Sequence, residues 1–83
     1  MAIDSKYGPV SIPGSTIAAD EPVFVLRGQD RLAPDAMRAY LELCKKAGVP
    51  QHHLDALEQS IVDMVRWQAN NYTQTPRSAG AGR

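Results

Sequence analysis

Apolar residues recur at helical spacing in two stretches of the chain and alternate with polar ones in a shorter stretch before them. Ala36, Met37, Tyr40, Leu43, Cys44 and Ala47 repeat at steps of three and four. At about 100° per residue they share one face, with Tyr40 near its centre. Arg38, Glu42, Lys45 and Lys46 take the opposite face. Further on, Leu54, Leu57, Ile61, Met64 and Val65 form a second stripe, widened at one edge by Val62. Between the two stripes Gly48 stops the first helix, with Val49 placed for the apolar contact of a Schellman-type cap. Pro50 then suits a first turn. The pattern predicts helices over 30–47 and 50–70, packed as an antiparallel hairpin. Tyr40, Leu43, Cys44, Leu57, Ile61 and Val65 are the expected core, between the helices or against a strand. Asp35 near the start of the first helix and Lys45 and Lys46 near its end match the helix dipole. For its cap two choices stand open: Asp30, or Ala33 with Pro34 at the first helical position.

Before the helices the pattern changes. Gly8, Pro9, Pro13 and Gly14 exclude a helix from residues 1–21, which read as an extended arm. Val10, Ser11 and Ile12 alternate and suit a short strand ahead of the Pro13-Gly14 turn. Residues 22–28 carry VFVLR, whose β-branched and aromatic content reads as a second strand. These two strands are expected to pair as a hairpin. After Tyr72 no periodic apolar residue remains, so 72–83 read as a disordered tail and 1–71 as one small domain. The fold class expected is α+β, mainly α: an N-terminal arm with short β-strands followed by an antiparallel two-helix hairpin.

Length and charge narrow the function. At 83 residues there is room for one small domain. No apolar run reaches the roughly 20 residues of a membrane span, and MAIDSKYGPV lacks the basic start and apolar core of a signal peptide. Nine basic and nine acidic residues cancel, which argues against bulk nucleic acid or a membrane as partner. The single cysteine, Cys44, makes no intrachain disulfide and no structural zinc set. A cytoplasmic setting is expected. Two amphipathic helices and a small sheet expose more apolar surface than one such chain covers, and neither disulfide nor metal compensates. Self-association is therefore expected.

Candidate chemistry concentrates at the strand-to-helix junction. Arg27 and Arg31 offer planar forks for phosphate oxygens, Gln29 and Asp30 suit a base edge, and Gly28 lets a ligand approach the backbone. The bland alternative makes Asp30 a cap and leaves both arginines to solvent and neighbouring carboxylates. Trp67 lies about 120° from the centre of the second stripe, on a shoulder with Ser60, Met64 and Asn71, and needs a strand, a second subunit or a planar ligand against it. Tyr7 and Tyr72 are aromatic candidates for closing over a ligand or anchoring the packing. His52 and His53 point about 100° apart on a helix and do not define a metal site. Cys44 reads as a buried apolar residue. Asp63 and Glu58 read as solvated, and no nucleophile has a base at a recognisable spacing. No enzyme activity, cofactor or metal is expected.

The segment EPVFVLRGQD, Glu21 to Asp30, with YGPVSIPG before it and the helical pair behind it, resembles small proteins carried by bacteriophages. The resemblance covers roughly residues 7–68 and carries over no functional residue. It implies a binder of a host protein or of a nucleotide-type defence signal. The expected function is a non-enzymatic, oligomeric sponge for a small nucleotide ligand in the host cytoplasm, held by Arg27, Gln29, Asp30, Arg31, Trp67 and Tyr7. The alternative is a protein-interaction module or minor virion component that lays its extended arm along a partner.

Overall fold

The structure is a computed structural model that describes residues 2–4, 6–14 and 16–75. Its elements in chain order are β1 (Ala2–Asp4), β2 (Gly8–Val10), β3 (Pro22–Val23), α1 (Ala33–Lys46) and α2 (Gln51–Ala69). The two helices pack as the expected hairpin, and the chain is mainly helical. Two backbone bonds at the turn carry that arrangement. Gly48 adopts φ +77°, a conformation that side chains disfavour. It lets the Gly48 N–H reach the Lys45 carbonyl at 3.2 Å and the Val49 N–H reach the Cys44 carbonyl at 3.1 Å. This is the Schellman arrangement, and Val49 packs onto the core as that cap requires.

Packing turns α1 away from the expected face. The core consists of Leu41, Cys44, Leu54 and Ile61, with Met37, Val49 and Leu57 packed against it. Cys44, Leu57 and Ile61 lie where the periodicity puts them. Tyr40 and Leu43 do not: they are 60% and 62% exposed, and Val65 is 41% exposed. Leu41 is buried instead. The physical reason is arc width. Apolar residues on α1 run from Leu41 round to Leu43, more than one partner helix can cover, and α2 covers the Leu41 edge. Tyr40 keeps its phenol beside the Cys44 thiol. The hydrogen bond to that thiol, then its electrostatics and desolvation, raise the phenol pKa above its ordinary value.

The cap of α1 also differs from both choices. Leu32 holds the cap position without a side-chain bond. Asp30 sits two residues earlier, where its Oδ1 accepts the Leu32 N–H at 2.9 Å and its carbonyl accepts the Ala33 N–H at 3.0 Å. That is an Asx-type turn leading into the helix.

The N-terminal sheet departs from the expected pairing. Its strand order is β2-β1-β3, with β1 antiparallel to β2 and parallel to β3. Residues 2–4 form the central strand, so the segment read as a plain extended arm supplies the missing partner. The ladder of β3 stops at Val23 rather than running through 28. Proline explains the layout: Pro9 and Pro22 lack a donor and sit in the two edge strands. The sheet is tied together by Asp4, only 1% exposed. Its Oδ1 accepts the Lys6 and Tyr7 N–H groups at 2.7 and 2.9 Å, and its Oδ2 accepts the Val25 N–H at 2.9 Å.

The boundary expected at Tyr72 moves outward. The Gln74 N–H donates to the Gln29 carbonyl at 2.8 Å, and the Arg31 N–H donates to the Gln74 carbonyl at 2.9 Å. The chain is thus paired through Gln74, and the rest of the expected tail, 76–83, lies outside the described residues.

Candidate functional site

The loop after β3 is held against the end of α2 by one side chain. Gln68 donates from Nε2 to the Gly28 carbonyl at 2.9 Å and to the Asp30 carbonyl at 2.7 Å. A carboxamide has two N–H donors on one nitrogen, which suits two carbonyls from adjacent turns of a loop. This clamp presses Gly28 onto Trp67. A Cβ at Gly28 would lie 3.0 Å from the indole Cε3 and 3.3 Å from Cδ2, so any side chain there would push against the ring. The partner of Trp67 is therefore within the chain, yet 45% of the residue stays exposed. The end of α2 is closed by asparagines: Asn71 Nδ2 donates to the Trp67 carbonyl at 2.7 Å and Asn70 Nδ2 to that of Arg66 at 3.1 Å.

An open groove of about 380 Å³ follows from this packing. Arg27, Gly28 and Gln29 form one wall, and Ser60, Asp63, Met64 and Trp67 form the other. Ser60 and Met64 join Trp67 as the helix wheel places them. Ser60 donates its hydroxyl to the Ala56 carbonyl at 3.0 Å, and Asp63 accepts from Gln59 Nε2 at 2.9 Å. Arg27 carries the groove's positive charge. Its guanidinium carbon lies 5.8 Å from the centre of the Tyr7 ring, within cation–π range.

Of the six expected site residues, Arg27, Gln29 and Trp67 line one groove. Tyr7 stands behind Arg27 and does not line it. Asp30 is a correction: it is 3% exposed, and its carboxylate serves the Leu32 N–H, so it has no free edge for a base. Arg31 does not join them. Its Nη2 donates to the Thr73 carbonyl at 3.2 Å, outside the groove. Asp63 and Gln68 are the additions. Asp63 is one helical turn before Trp67, so the wheel that placed Ser60 and Met64 could have found it. Nothing local marks Gln68, whose partners lie 38 and 40 residues away.

The histidines behave as ordinary surface residues. Their rings lie 4.3 Å apart at 36° in the exposed first turn of α2. Among the described residues no three His, Cys, Asp or Glu side chains cluster. No described helix is long and apolar enough to cross a membrane. No family model, curated protein or solved structure matches the chain, so the groove is read from its own geometry.

Proposed function

We propose that this protein is a non-enzymatic binder that sequesters a small nucleotide-type ligand in the Arg27–Trp67 groove. The supporting observation is the half-exposed Trp67, backed by Gly28, in one groove with Arg27. A base stacks on the indole and a phosphate meets the Arg27 fork. Asp63 takes the base-reading role expected of Asp30, because a carboxylate accepts from ring N–H and exocyclic amino groups, as guanine offers. The same negative charge disfavours a second phosphate at that end of the groove. Gln29 contributes at the rim. Binding without turnover suits the groove's one lining hydroxyl, since Ser60 spends it on the Ala56 carbonyl. On this reading the protein acts in the cytoplasm of an infected cell, in keeping with the resemblance to phage proteins.

Calorimetry against mono- and cyclic nucleotides tests the reading. Arg27→Ala is expected to weaken binding about ten- to a hundredfold, the effect of one charge-assisted hydrogen bond. Arg27→Lys also weakens it, because a point charge does not reproduce the fork. Trp67→Phe keeps most affinity and Trp67→Ala does not. If nothing in the panel binds more tightly than about 100 μM, roughly 5.5 kcal/mol, the sponge reading falls. A protein-interaction module is then the better account, favoured by the 72% exposure of Phe24 on the linker after β3.

A further inference from the structure

We infer that the face of the hairpin opposite the Trp67 groove is a two-fold interface for a second copy of this chain, centred on Val62. Two contiguous shallow grooves cover this face and share Arg38, Ile61 and Val62. Their middle is apolar on α2, where Val62 and Val65 are exposed beside the buried Leu41 and Ile61, with Arg38 of α1 at its edge. Their ends carry opposite charge. One groove brings Arg38 of α1 beside Arg66 of α2, and the other brings Glu42 of α1 beside Glu58 of α2. Along α2 the face is thus apolar at its centre, basic at one end and acidic at the other.

Such a face is complementary to itself. Glu58, Val62 and Arg66 lie on one ridge at steps of four, so the two charges flank Val62 symmetrically. A two-fold axis through Val62 runs the second α2 antiparallel to the first. Each Glu58 then meets the other copy's Arg66. This is the isologous contact in which one surface serves both subunits. A parallel copy would set like charges together. Charge availability supports the choice of α2 as the determinant. Arg38 and Glu42 already pair on their own helix with Asp35 at 2.8 Å and Lys45 at 3.4 Å. Among the described residues Glu58 and Arg66 make no ion pair, so they are free to choose a partner. The small core supplies the motive, because covering Val62 and Val65 removes apolar surface that the monomer leaves in water.

The test is a charge-swap cycle on the full chain, read as mass by sedimentation or light scattering over a hundredfold concentration range. The wild type is expected to form a complex of at least two chains. Glu58→Arg and Arg66→Glu, each placing like charges across the axis, are each expected to raise the dissociation constant about tenfold or more. The double variant, Glu58→Arg with Arg66→Glu, restores opposite signs and is expected to return to within a few-fold of wild type. Val62→Lys, which sets two charges on the axis, is expected to dissociate the complex. All three positions tested are exposed, and helical circular dichroism is expected to stay at the wild-type level. A monomeric wild type overturns the proposal. So does a wild-type complex that the single variants leave intact, or a double variant that assembles no better than either single. None of these outcomes depends on whether the Trp67 groove binds a nucleotide.

Discussion

The helical hairpin and the N-terminal sheet are stabilised in opposite ways. The hairpin buries apolar side chains: Leu41, Cys44, Leu54 and Ile61 form its centre. The sheet is organised by a buried charge, the Asp4 carboxylate, which gathers three backbone N–H groups from residues 6, 7 and 25. Burying a charge is tolerated only when hydrogen bonds replace the lost water, and Asp4 meets that condition. A hydrophobic core degrades by degrees when one methyl group is lost. A polar hub has no graded loss, because each N–H it abandons stays buried without a partner.

Core truncation should have the largest effect and should sharpen the contrast within α1 itself. Leu41→Ala is expected to cost about 2–5 kcal/mol, as for a buried leucine. Leu43→Ala, two residues away on the exposed side, is expected to cost about 0.5 kcal/mol or less in the isolated chain. Denaturant unfolding of both variants at low protein concentration measures the difference. Equal losses would break the assignment of Leu41 to the core.

Asp4→Ala comes next, at about 2–4 kcal/mol if the donors it leaves are only partly rewetted. Hydrogen exchange distinguishes this loss from the first. The Tyr7 and Val25 amides should lose protection while the middle of α2 keeps it. If α2 loses protection equally, the sheet and the hairpin are one cooperative unit and the comparison fails. Gln68→Ala is the smallest of the three, about 1–3 kcal/mol, because two carbonyls lose a donor and water can reach the one at the partly exposed Gly28. It should redshift Trp67 fluorescence as Gly28 moves off the indole, with the helical signal unchanged.

The two regions also differ in how much of them the sequence makes legible. Periodicity locates α1 and α2 to within a few residues because every turn of a helix repeats the same evidence. It cannot say which edge of a wide apolar arc the partner covers, and so it centres the face on Tyr40 rather than near Leu41. The sheet offers no repetition. Its central strand is three residues long, and the feature that fixes it is one aspartate whose partner at Val25 lies 21 positions away. The groove falls between these cases. Trp67, Ser60 and Met64 follow from the wheel, and Arg27 and Gln29 from the composition of the junction. Asp30 and Arg31 have the same chemistry as their neighbours, and only the Asx turn and the Thr73 contact remove them from the site.

The Gln68 clamp has a further consequence for how the molecule is made. Residues 28–30 leave the ribosome with two carbonyls whose donor is encoded 38 and 40 positions later. At about 5–20 residues per second, the loop waits some seconds for Gln68, and longer for the Gln74 bridge. Meanwhile α1 can form, since its stopping signal at Gly48 is local. The groove wall is thus fixed late in synthesis, after α1 and together with the end of α2. The indole arrives one residue before its clamp, so the contact of Gly28 with Trp67 forms only when the end of α2 is made.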